Sequence, residues 1–112
     1  MKKTFSQKLI DYIEFFNNYI GEHENFSDNI DYTVGYACRV FENLKLSYIK
    51  ENKNKLNYKF QQNIFVMKQD LKNTDFESLE EVVNEIIDDL NFLKRKYGVE
   101  NETFNNWRIF KN

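Results

Sequence analysis

Four separate stretches of this chain carry apolar residues at alternating steps of three and four, and that recurrence constrains the fold more than any other feature. It is the spacing of one side of an α-helix. The clearest run is Leu79, Val83, Ile86, Leu90, Leu93 and Tyr97, and a seam of that length needs a neighbouring helix to cover it. Proline is absent from the 112 residues and glycine occurs 3 times, so the turn chemistry of loop-rich β folds is in short supply. The expectation is an all-α fold, a small four-helix bundle with a short C-terminal helical or irregular tail, forming one domain over 1–112.

Local signals place the helices. Thr4-Phe5-Ser6-Gln7 has the spacing of a capping box, in which the Thr side chain accepts from a first-turn N–H and Gln reaches back to the cap. Phe5, Leu9, Ile13, Phe16 and Ile20 follow at helical steps, with Tyr12 and Tyr19 beside them, and Gly21 offers a left-handed stop. A first helix over 4–20 is predicted. Ser27 or Asp28 can cap a second, over 28–51, whose stripe is Ile30, Val34, Ala37, Phe41, Leu44 and Tyr48. Gly35 weakens it by up to ~1 kcal/mol relative to Ala, a local tolerance rather than a sign of close helix approach.

The third stripe, Leu56, Phe60, Ile64, Met67 and Leu71, predicts a helix over 55–72. Glu51-Asn52-Lys53-Asn54-Lys55 separates it from the second with neither Gly nor Pro. One unbroken helix over 28–72 would need a second chain to bury it, so a turn near Asn52 to Asn54 is expected. Thr74-Asp75-Phe76-Glu77 repeats the capping-box spacing and Gly98 supplies a stop, which sets the fourth helix at 75–97. Acids crowd its start, while Lys94, Arg95 and Lys96 occupy its last turn, matching the helix dipole. In the tail over 99–112, Phe104, Trp107, Ile109 and Phe110 call for a helical turn packed across the bundle.

Composition narrows the function classes. Hydrophobic residues make up 41% and the aromatics comprise 11 Phe, 7 Tyr and 1 Trp, enough large side chains to exclude disorder. A formal net charge of -2 removes the global argument for nucleic-acid or membrane-surface binding. Cys38 has no cysteine partner, and with His23 as the single histidine it cannot complete a zinc set. Lys8, Asp11 and Glu14 interrupt any signal-peptide core, and no run approaches the roughly 18 apolar residues of a membrane span. A cytoplasmic protein without membrane contact or cofactor is expected. The 16 asparagines beside a single alanine are what AT-rich codons produce, as in phages and other mobile elements, so the asparagines are not read as chosen for chemistry.

Three constellations carry possible chemistry. Glu77, Glu80, Glu81, Glu85, Asp88 and Asp89 form an acidic run, but one helix without a matching motif elsewhere is half a metal cage, and a solvated face is the expected role. His23 between two glutamates has no supported nucleophile, since Cys38 lies beside an apolar stripe; no catalytic residue is assigned. The lysines of residues 45–72 are segregated from the acids. Lys55 with Lys59, and Lys68 with Lys72, each one turn apart, make a phosphate-tracking face the alternative reading.

The preferred expectation comes from surplus apolar residues. Ile10, Phe15, Val40, Leu46, Phe65 and Val66 lie off the main stripes, more than a core this small can hold. Phe15, Tyr19, Trp107, Arg108 and Phe110 are of the types that dominate binding hot spots, and they form the expected contact set. That composition predicts a non-enzymatic protein-binding module of inhibitor, immunity or adaptor type, acting by occluding or scaffolding a partner protein. A second copy of the chain is a further candidate partner.

Overall fold

Residues 3–19, 29–53 and 57–98 are described by a computed structural model, and they form four helices: α1 Phe5–Asn17, α2 Asn29–Glu51, α3 Tyr58–Asn73 and α4 Leu79–Tyr97. The all-α expectation holds. The connection over 20–28, with Ile20, Gly21, His23, Ser27 and Asp28, lies outside the described residues, as do Asn54, Lys55, Leu56 and the tail from Val99. Neighbouring helices run antiparallel; α1 packs on α4 and α2, α2 also packs on α3, and α3 meets α4 along a thinner seam.

The four stripes converge on one core. Leu9, Phe16, Ala37, Phe41, Leu44, Leu71, Ile86, Leu90 and Leu93 are fully buried, with Phe60, Ile64, Met67 and Val83 close behind. Burying each large side chain contributes about 1.5–3 kcal/mol. At one end every helix supplies an aromatic ring: Phe5, Tyr48, Phe60 and Tyr97. Tyr48 stacks on Phe60 with centroids 4.0 Å apart, while Phe5 and Tyr97 meet that pair edge-on at 4.9–5.6 Å. Asn63 donates to the Tyr97 hydroxyl at 2.8 Å, which ties α3 to α4 there. Among the surplus apolar residues Val40 is a correction: it is 3% exposed and belongs to the core, because the buried face of α2 is wider than a strict 3–4 stripe.

Helix ends follow local chemistry, with two corrections. The Thr4 box forms in full: Thr4 Oγ1 accepts from the Gln7 N–H at 3.2 Å and Gln7 Oε1 accepts from the Thr4 N–H at 3.0 Å. The box expected at Thr74 does not form. Thr74 closes α3 instead, its hydroxyl and its N–H both donating to the Asp70 carbonyl at 2.6 and 3.0 Å. Ser78 caps α4 in its place, accepting from the Glu81 N–H at 3.1 Å, while Glu81 accepts from the Glu77 N–H at 2.8 Å. The second correction concerns the end of α1. It stops at Asn17, with Asn18 as its cap, short of the expected 20.

The break between α2 and α3 lies where the sequence places it. Asn52 turns back, its side-chain amide donating to the Tyr48 carbonyl at 2.9 Å, and Asn57 donates to the Asn52 carbonyl at 3.3 Å. A methyl group built on Gly35 would meet nothing within 4 Å, which agrees with local tolerance. The α4 stop at Gly98 uses extended backbone, its N–H donating to the Lys94 carbonyl at 2.9 Å.

Candidate protein-binding surface

The residues left outside the core are not scattered evenly. On α3, Phe60, Ile64, Met67 and Leu71 face inward, while Tyr58, Phe65 and Val66 are exposed at 71%, 61% and 48%. Tyr58, Gln62, Phe65 and Gln69 recur at steps of four, three and four, so they share one outer side of the helix. It carries no acid. Lys68 marks the flank toward α2, through its 2.9 Å ion pair with Glu42, and Asn63 marks the flank toward α4.

That ion pair fixes the level of two exposed side chains. Helices α2 and α3 are antiparallel and Glu42 meets Lys68, so Phe65, three residues before Lys68, stands level with Lys45 and Leu46. Leu46 is 60% exposed. Lys45 also closes on Glu42 at 3.0 Å, so one carboxylate between Leu46 and Phe65 holds two ammoniums. The donation from Lys68, then that from Lys45, holds the Glu42 carboxyl below its ordinary value.

On its other flank, α2 meets the start of α1 across an open groove of about 720 Å³. Lys3, Lys8, Asn43, Leu46, Ser47 and Lys50 line it. The Lys8 ammonium donates to Ser47 Oγ at 2.7 Å and to Asn43 Oδ1 at 3.3 Å, and Asn43 in turn donates to the Tyr12 hydroxyl at 3.1 Å. Burial first, then repulsion from Tyr36, lifts the Tyr12 phenol above its ordinary value. Lys3 pairs with Asp11, and Glu51 accepts from the Phe5 N–H at 2.7 Å, satisfying a donor that the start of α1 would otherwise leave open.

The residues named from sequence separate. Phe15 is 38% exposed and packs against Phe16, Tyr19 and Tyr36. Tyr19 belongs to the core: it is 2% exposed and its hydroxyl bonds to the buried Thr33 at 2.9 Å, so it offers little contact area. A cavity of about 110 Å³ lies between Phe15, Tyr19, Tyr32 and Tyr36. Tyr32, 59% exposed, carried no signal in the sequence because it sits off the α2 stripe. Trp107, Arg108 and Phe110 lie outside the described residues.

The basic set does not share a face. Lys59 and Lys68 are nine residues apart, which puts them on opposite sides of α3; Lys72 shares the side of Lys68, and Lys68 is committed to Glu42. Lys55 lies outside the described residues. In the acidic run, Glu77, Glu80, Glu81, Glu85 and Asp88 are exposed along α4 and its approach, and Asp89 is partly buried. Burial pushes the Asp89 carboxyl up to about 7, and like charges at Glu85, Asp70 and Asp88 add to the shift. Among the described residues no three His, Cys, Asp or Glu side chains gather as a metal site would require, and no helix is long and apolar enough to cross a membrane. Cys38 is a half-buried free thiol.

Compared with known proteins, the chain matches no protein-family model, no curated protein and no solved structure.

Proposed function

We propose that this protein is a non-enzymatic, cytoplasmic protein-binding module that works by occluding or scaffolding a partner, with the outer side of α2 and α3 as its contact surface. The observation that carries this reading is the pair Leu46 and Phe65, 60% and 61% exposed and level with one another, with Tyr58 and Val66 extending the apolar area along α3. Isolated exposed apolar residues are ordinary; several aligned on adjacent helices mark an interaction surface. The intervening Glu42 is shared by Lys45 and Lys68, so these three side chains are already held in place and leave one net positive charge for a partner to meet. Phe15 and Tyr32 add a second, smaller aromatic spot at the far end of α1.

The test compares partner capture by the wild-type chain with capture by a Leu46→Glu, Phe65→Glu double variant, after light scattering has fixed the solution state of each. A protein retained by wild type and lost from the variant supports the reading. If scattering instead gives a wild-type dimer that the variant dissolves, the partner is a second copy. Equal retention by both chains, with both monomeric, overturns this surface.

A further inference from the structure

The cavity at the far end of α1 has walls of one chemical kind. Among the described residues its lining is Phe15, Tyr19, Tyr32 and Tyr36, an aromatic ring on each. We propose that this cavity is a binding site for a quaternary ammonium group, which the four rings hold as an open-sided aromatic cage. The inference goes beyond the contact assigned to α2 and α3 and does not depend on it.

The shape is that of a corner. Phe15 lies 5.5 Å from Tyr19 with the ring planes 62° apart, and 5.5 Å from Tyr36 with the planes 49° apart, so three non-parallel rings meet there. Tyr19 is fixed as the back wall by its bond to the Thr33 hydroxyl, whereas Tyr32, one turn before Tyr36 on α2, stands on the solvent side. A wall set before the ligand arrives costs less ordering on binding. The volume of about 110 Å³ suits one compact head group and falls well below the ~300 Å³ at which drug-sized ligands are held.

Ring chemistry and local charge select a cation. The faces of aromatic rings carry negative potential, and the molecule already uses it: the Arg39 guanidinium lies over the Tyr36 ring, 5.7 Å from its centroid. Arg39 follows Tyr36 by three residues and Tyr32 precedes it by four, so the guanidinium and Tyr32 flank Tyr36 from opposite directions along α2. Helix α1 ends beside the cavity with no base in its last turn, and Glu14 of that turn forms no ion pair among the described residues. The negative end of its dipole is therefore open to an incoming cation, while the positive start of α2 already carries Asp31.

The same lining selects a fully alkylated nitrogen. A plain ammonium brings three N–H donors and a guanidinium five, and no lining side chain offers a carboxylate or an amide to receive them. The Tyr19 hydroxyl is engaged with Thr33. A trimethylammonium group has no N–H to satisfy and presents methyl groups to the rings, so it loses least on leaving water.

The experiment titrates the full chain with choline and with its neutral isostere, in which a tert-butyl group replaces the trimethylammonium, while NMR follows the Tyr and Phe ring signals. Choline should give saturable shifts at the rings of the cavity and bind at least about tenfold more tightly than the isostere. Tyr32→Phe should retain this binding and Tyr32→Ala should lose it, with circular dichroism confirming that both variants fold. Equal binding of choline and the isostere would reduce the cavity to an apolar pit and overturn the proposal. So would unchanged binding by Tyr32→Ala, or no saturation below about 100 mM choline. A peptide carrying trimethyllysine, titrated alongside, names the source: tighter binding than choline assigns the group to a partner protein, and weaker binding assigns it to a free small molecule. The Leu46→Glu, Phe65→Glu variant should bind choline as wild type does, which keeps failure of the cage distinct from failure of the α2–α3 surface.

Discussion

The two sides of α3 use similar residues for different ends. Phe60, Ile64, Met67 and Leu71 face inward at steps of four, three and four; Tyr58, Gln62, Phe65 and Gln69 face outward at the same steps. Periodicity alone does not tell them apart. What separates them is the rest of each row: apolar, non-aromatic side chains follow Phe60 in the inner row, whereas amides alternate with the aromatics of the outer one and lower its claim on the core. An amphipathic helix with a second, half-apolar row is suited to being covered twice, once by its own chain and once by something else.

The largest expected effect breaks the inner row. Phe60 is 2% exposed and joins the four-helix aromatic cluster through Phe5, Tyr48 and Tyr97. Phe60→Ala removes those ring contacts and leaves a cavity, so urea denaturation should show a loss of about 3–5 kcal/mol. A loss below ~1 kcal/mol would mean that the aromatic end collapses around the gap and does not hold the helices together.

A smaller effect is expected on the flank of α3 that meets α4. Asp89 lies partly buried there, and repulsion from Asp70 on α3 contributes to its raised pKa of about 7. An unfolded Asp ionises near ~3.9, so between that pH and about 7 the native chain binds more protons than the unfolded one. Stability therefore falls as pH rises through this window and levels off above it. Asp89→Asn should remove the slope and stabilise the chain at pH ~8 by about 1–2 kcal/mol, a figure discounted for solvent screening of a partly exposed group. Denaturation of both chains below and above the window checks it; parallel pH dependences would remove Asp89 as the cause of any slope.

How far the sequence reaches follows from what each signal depends on. The four helices and the inner row were legible because 3–4 spacing is a property of one helix at a time. Phe65, Val66 and Leu46 were legible as surplus for the same reason. The start of α4 was not, since Thr74-x-x-Glu77 and Ser78-x-x-Glu81 both carry the capping pattern, and the choice turns on Thr74 being spent on the Asp70 carbonyl at the end of α3. The burial of Tyr19 depends on Thr33, fourteen residues away on another helix. The groove at Lys8 depends on which helix lies beside α2, and no single-helix pattern contains that information.

The smallest stability effect is expected on the outer row, and it sharpens the contrast most directly. Phe65→Gln replaces a 61% exposed ring with a side chain of slightly better helix propensity and the chemistry of its neighbours Gln62 and Gln69. Stability should stay within ~0.5 kcal/mol of wild type, against several kcal/mol for Phe60→Ala. The same substitution should weaken partner capture, because an exposed aromatic contributes through what it meets on binding. A stability loss above ~1.5 kcal/mol would show that the ring is already covered in solution. The dependence of the unfolding midpoint on protein concentration then names the cover: a shift with concentration identifies a second copy, and no shift identifies the chain itself.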